Sequence, residues 1–141
     1  MNKAEALLAK AGRAYSSARA LLGLGDVDGA ANRAYYAMFD AARAALLAAG
    51  VPMLEPDIGR THSGLIGAFG NYLVKNGPVS KDMGRLLNRA HEIRQIADYN
   101  GESVELADAQ EMVEQAGAFI AAMQAEFMIG NSNDNGYGVE A

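Results

Sequence analysis

The sequence has no cysteine, three prolines and two histidines, His62 and His91, among 141 residues. Without cysteine there is no disulfide scaffold, no thiol nucleophile and no cysteine-ligated zinc or iron–sulfur cluster. Two histidines are too few for a histidine-rich metal centre, so no metal and no other cofactor is expected. Long apolar runs are missing too. The stretch from Ala44 to Leu54 is broken by Gly50 and Pro52 and falls well short of the ~20 residues that a membrane helix needs. No basic leader precedes a long apolar segment, so the sequence reads as that of a soluble, cytoplasmic protein. Positive charge is in deficit: 12 Lys and Arg against 17 Asp and Glu give a net charge of −5. That balance argues against charge-driven coating of nucleic acid, while leaving room for a local basic site.

Alanine and hydrophobic periodicity are plentiful. Half the residues are apolar, enough for one domain with a real core. Ala4, Leu7, Leu8, Ala11, Ala14, Tyr15, Ala18, Leu21 and Leu22 follow helical three-four spacing, with Lys10, Arg13, Ser17 and Arg19 on the solvated side. Gly23 and Gly25 supply a left-handed stop. Asp26 caps a second helix running to about Ala49, antiparallel to the first. Val51 to Arg60, with two prolines, reads as a loop. Thr61 or Ser63 starts a third helix ending at Asn76-Gly77-Pro78, in which Gly64, Gly67 and Gly70 permit either close contact or mobility. Ser80 caps a fourth helix to roughly Ala97. A fifth carries the stripe Leu106, Ala109, Val113, Ala116, Ile120, Met123 and Phe127. The expected fold is all-α, an up-and-down bundle of four to five helices over residues 1–129, with a disordered tail over 130–141.

The informative positions are polar residues where apolar ones belong. In the fourth helix Arg94 falls inside the arc of Met83, Leu86, Leu87, Ala90, Ile93 and Ala97, with His91 and Asp98 on its margin. A guanidinium there costs several kcal/mol unless it is paired or faces a wet cleft. Either Arg94 and Asp98 form a structural i,i+4 pair, or they line a polar pocket. In the second helix Arg33, Tyr36, Asp40 and Arg43 make a polar stripe beside Ala30, Ala34, Ala37, Ala41, Ala44 and Ala48. That stripe is either a surface ladder or one wall of the same pocket. Tyr35 and Phe39 read as core. His62 reads as a cap or surface residue at the start of the third helix. His91, one turn from Arg94, is the better partner for it, and the arginine would keep its imidazole neutral.

The block Arg33-Ala-Tyr-Tyr-Ala-Met-Phe-Asp-Ala-Ala-Arg-Ala-Ala-Leu-Leu47, with Thr61-His62-Ser63-Gly64, Gly84-Arg85 and Arg94-x-x-Ala97-Asp98-Tyr99, closely resembles the HEPN domain family (higher eukaryotes and prokaryotes nucleotide-binding). The nearest branch is that of short, stand-alone prokaryotic members, and the likeness spans roughly residues 2 to 128. It implies a helical bundle that usually dimerises. Many relatives are toxins of toxin–antitoxin pairs, encoded beside a small nucleotidyltransferase that neutralises them. Active members cut RNA without metal through an Arg-x(4–6)-His motif. Arg94 matches its arginine, but Tyr99 and Asn100 stand where the histidine belongs, and no histidine follows His91. Position 40, often histidine in this branch, is Asp40. The resemblance also marks Tyr99 as a target for nucleotide transfer by the partner enzyme.

Metal-free RNA cleavage needs a base for the 2′-hydroxyl and a proton donor for the leaving 5′-oxygen. Arginine can hold the phosphate but is no base at neutral pH. Catalysis therefore requires His91, His62 or Asp40 to fold into the arginine's cleft. The resulting assignment puts Arg94, Asp98, Tyr99 and His91 at the reaction, and Arg33, Tyr36, Asp40, Arg43, His62 and Asn100 on RNA or nucleotide. Two other readings are a non-catalytic subunit that docks the nucleotidyltransferase and presents a substrate to it, and a structural helical adaptor.

Overall fold

The computed structural model describes residues 2–52, 61–99 and 101–130. Asn100, most of the expected loop before Thr61 and all of the expected tail except Gly130 lie outside them. The fold is all-α, with five α-helices and no strand among the described residues: α1 (Lys3–Gly23), α2 (Val27–Ala48), α3 (His62–Ala68), α4 (Lys81–Tyr99) and α5 (Leu106–Phe127).

Side chains cap α2 and α3 at Asp26 and Thr61, as read from the sequence, and α1 is capped as well. Asn2 and Glu5 form a reciprocal capping box on α1, each side chain bonded to the other's backbone N–H at 2.8 Å. The Asp26 carboxylate accepts from the Gly29 amide on α2, and the Thr61 hydroxyl from the Gly64 amide on α3, both at 2.9 Å. Each such cap is worth about 0.5–2 kcal/mol. The turn between α1 and α2 differs from expectation in one detail. Gly23 stays helical, and Gly25 alone takes the left-handed conformation, at φ 85°.

The third helix is not one regular α-helix. From Phe69 to Lys75 the backbone winds as a π-helix, a wider turn that shifts the register of the residues it carries. Phe69 and Leu73 still reach the core. A Cβ on Gly67 or Gly70 would meet nothing within 4 Å, so close helix contact is not why glycine stands at those two positions.

α2 is the centre of the bundle. Thirteen of its residues are buried, because it packs on α1, α5, α4 and the π-helical segment. The alanines of its small-residue face are inaccessible from Ala30 to Ala44, whereas Ala48 is exposed. Around them pack Tyr35, Met38, Leu46, Phe69, Leu87, Met112, Phe119 and Met123. One close approach demands glycine: a Cβ on Gly117 of α5 would lie 2.8 Å from the Tyr15 ring of α1. The α5 stripe holds except at its first member. Leu106 is half exposed at the helix start, and Met112 and Phe119 supply buried bulk instead. Finally, the Asp28 carboxylate accepts from the Val104 amide at 2.8 Å, tying the α4–α5 connection to the start of α2. No described helix is long and apolar enough to cross a membrane.

Candidate functional site

Arg94 sits on the buried face of α4 and is only 6% exposed. A buried guanidinium must find acceptors, and this one does. Its Nε lies 3.1 Å from Asp98 Oδ2, one helical turn on. Nε makes no hydrogen bond there, so the contact acts by charge. Asp98 is fixed in turn by the Asn32 amide, which donates to both carboxylate oxygens at 3.2 and 3.3 Å. Arg94 Nη2 donates to the Tyr36 hydroxyl at 3.1 Å. The guanidinium carbon also lies 5.4–5.6 Å from the ring centres of Tyr35, Tyr36 and Tyr99, within cation–π range. Burial works against the charge of Arg94. The Tyr36 hydrogen bond and nearby Asp98 more than offset it and hold the pKa above its ordinary value.

The same Nη2 lies 3.3 Å from His62 Nε2. His62 is the first residue of α3, directly after the Thr61 cap, and its ring is half-buried between α2 and α4. Its other nitrogen, Nδ1, is 2.6 Å from the Tyr35 hydroxyl. These contacts fix the tautomer. Arginine has only N–H donors, so Nε2 must accept; neutral imidazole then carries its proton on Nδ1 and donates it to the Tyr35 oxygen. Burial, with Arg94 and His91 adding to it, lowers the His62 pKa, which keeps the ring neutral. Tyr35 is fully buried, and burial raises its pKa far above the usual value, so its hydroxyl stays protonated.

His91, the sequence's choice of partner for Arg94, takes another place. It stacks on His62 at 5.7 Å and 21° and lies beside Tyr35 at 5.5 Å. Its buried Nδ1 has no hydrogen-bond partner, and burial followed by Arg94 lowers its pKa. The reason is directional: the Arg94 head group extends to α2 and α3 rather than back along α4. His62 is therefore neither the helix cap, which is Thr61, nor a surface residue.

The single cleft expected for both polar stripes is divided. Tyr36 belongs to the Arg94 site, but Asp40 and Arg43 face a groove of about 560 Å³ on the α1 side of α2, lined also by Lys10, Arg13 and Arg33. Arg33 stacks on the Tyr36 ring at 5.2 Å, so that ring is the wall between groove and site. Asp40 is 5% exposed. Burial raises its pKa, against the lowering pull of Lys10, Arg43 and Arg33. The stripe on α2 is thus not a surface ladder.

Sequence reasoning missed Tyr35 and Asn32. Tyr35 is core by burial, yet its hydroxyl orients His62. Asn32 carried a signal: an amide one turn before Tyr36 on a helix otherwise rich in alanine. Lys10 and Arg13 were assigned to solvent, and they are exposed, but over the groove. Among the described residues, no group of three or more histidine and carboxylate side chains is gathered that could hold a metal.

Residues 4–126 match the HEPN domain family. The chain is 37% identical over 97 residues to a UPF0332 protein of Thermotoga maritima, covering 67% of this chain and 68% of that one. It is 33% identical over 116 residues to the UPF0332 protein glr0978 of Gloeobacter violaceus, covering 81% and 87%. It is also 33% identical over 88 residues to a Methanocaldococcus jannaschii protein named "putative toxin MJ0605", covering 62% and 61%. With the family matched across nearly the whole helical bundle, the chain belongs to the HEPN domain family.

Proposed function

We propose that this protein is the toxin component of a toxin–antitoxin pair and that it cuts RNA without a metal, using His62 and Arg94. The carrying observation is the 3.3 Å contact between His62 Nε2 and Arg94 Nη2. It puts a neutral base beside a phosphate-holding cation although the linear Arg-x(4–6)-His motif is broken. The likeness to the archaeal protein named as a toxin supports the biological setting.

In this reading the incoming phosphodiester replaces His62 as the acceptor of the Arg94 N–H, which frees the Nε2 lone pair. Nε2 takes the proton of the 2′-hydroxyl, the 2′-oxygen bonds to phosphorus, and the P–O5′ bond breaks to leave a 2′,3′-cyclic phosphate. Arg94 stabilises the charge that develops on the phosphate oxygens. The 5′-oxygen takes its proton from solvent, and His62 afterwards returns to solvent the proton it accepted. Tyr35 keeps the imidazole in the required tautomer, and Asp98, steadied by Asn32, keeps the guanidinium in place. A cytoplasmic homodimer neutralised by a small nucleotidyltransferase completes the reading. A structural adaptor fits less well, since it has no use for a neutral imidazole held against arginine.

The test is RNA incubation in EDTA with wild type and Arg94→Ala. Cleavage by wild type and none by the variant is expected; cleavage that survives the substitution overturns the assignment.

One observation favours a second reading. Tyr99 is 71% exposed, with Arg94 against its ring, so its hydroxyl is open to a partner enzyme. In a binding subunit that oxygen would attack the α-phosphorus of ATP, bonding AMP and releasing pyrophosphate. Mass spectrometry after incubation with a partner nucleotidyltransferase and ATP would show the adduct on Tyr99, and its absence there removes this reading.

A further inference from the structure

We infer that the groove between α1 and α2 is a second phosphate-binding subsite, which holds the backbone of a single RNA strand next to the part lying on Arg94. The inference deepens the RNA-cleaving reading and rests on it.

The first argument is charge. The protein carries a net charge of −5, yet Lys10 and Arg13 from α1 and Arg33 and Arg43 from α2 converge on one groove. The ion pairs found among the described residues use Arg85, Arg89 and Arg94; none of the four groove cations has a carboxylate of a described residue within 4.0 Å. The groove's own carboxylate, Asp40, is 5% exposed; it feels the charge of Lys10, Arg43 and Arg33, but it is a single anion among four cations. Four cations against one carboxylate repel each other and focus a positive field into the groove.

The second argument is a missing acceptor. Arg43 Nε is buried and has no hydrogen-bond partner. A buried donor without an acceptor costs about 1–3 kcal/mol, and an anion in the groove would remove that cost. The third is continuity. Tyr36 lines the groove, carries Arg33 on its ring, and hands its hydroxyl to Arg94 on the far side. A basic groove ending on an aromatic ring suits a single nucleic-acid strand, which binds through phosphates and base stacking together. An isolated phosphate has no use for the ring.

The experiment measures fluorescence anisotropy of a short, single-stranded, 2′-O-methylated RNA, which cannot be cut, over a range of salt. The variants are K10Q/R13Q, whose side chains are exposed and form no ion pair with a described residue, and R85Q/R89Q, which removes the same charge from the far face of α4. Circular dichroism confirms that both fold. Losing two phosphate contacts should flatten the slope of log K against log salt by about 1.4, for K10Q/R13Q only. An unchanged slope, or an equal loss in R85Q/R89Q, overturns the subsite. AMP and inorganic phosphate serve as competitors. If AMP occupies the groove while the RNA slope stays unchanged in K10Q/R13Q, the site takes a mononucleotide and the inference fails.

Cleavage of unmodified RNA by wild type and R94A is scored separately. Slope flattening without any cleavage keeps the groove and removes the ribonuclease reading. Cleavage with an unchanged slope removes the groove alone.

Discussion

At the residue scale, His62 decides the chemistry of the proposed cleavage. A base must be neutral to accept a proton, and the lowered pKa of His62 keeps it so across the neutral range. Protonation would put a cation beside Arg94 and switch the base off. The acid limb of kcat/KM is therefore expected below the ordinary histidine value of about 6.5, with kcat/KM rising with pH through it. His62→Gln, which can keep a hydrogen bond to Tyr35, is expected to lower kcat by roughly 10²–10⁴-fold and to abolish that limb. A pH profile of kcat/KM for wild type and variant checks this; an unchanged acid limb would mean that another group is the base. Tyr35→Phe should do less: the ring stays packed and only the hold on the tautomer is lost.

At the element scale, α1 and α5 approach closely where Gly117 meets Tyr15. Gly117→Ala must displace the Tyr15 ring, and an overpacked contact of this kind typically costs 1–3 kcal/mol. Urea unfolding should show the midpoint fall with an unchanged m-value; an unaltered midpoint would mean that the ring swings away freely. Much at this scale was legible in the sequence. Asp26, Thr61 and Ser80 mark helix starts because a short polar side chain meets an otherwise unpaired backbone amide there. The Ser80 hydroxyl accepts from the Met83 amide at 3.3 Å. Periodicity also exposed Arg94 as an intruder on an apolar face. It could not show the π-helical winding after Ala68, because residue spacing gives the face of a helix and not its pitch. Nor could it show that Arg94 reaches His62, 32 positions away, because only the packing of α3 against α2 and α4 brings them together. Leu106 was misread for a related reason: the period continues to the helix end, whereas the neighbouring helices do not.

At the scale of the whole molecule, pH acts on stability through groups of opposite sense. His62 and His91 have folded pKa values below their unfolded ones. As pH falls through about 6.5, the unfolded chain takes up protons that the fold resists, so stability drops on acidification from there. Asp40 runs the other way. Its folded pKa is raised, so the native state holds the proton more tightly. Its contribution is most favourable below the unfolded value of about 3.9 and is lost as pH rises through the folded one. At pH 7 Asp40 is a buried carboxylate that the bundle would be firmer without. Asp40→Asn is expected to raise the melting temperature at pH 7, with the gain shrinking towards zero at pH 3. Thermal unfolding across pH tests it, and a lowered melting temperature at pH 7 would show that the carboxylate is stabilised where it stands.

Arg94 and His62 come from two helices of one chain. In the proposed reaction the base and the phosphate holder therefore meet by folding alone, and their encounter obeys no mass-action law. Diluting the protein until copies separate leaves that pair intact. Turnover per chain is then expected to stay constant from micromolar to nanomolar protein, with assembly free to serve affinity for RNA or recognition by a neutralising partner instead.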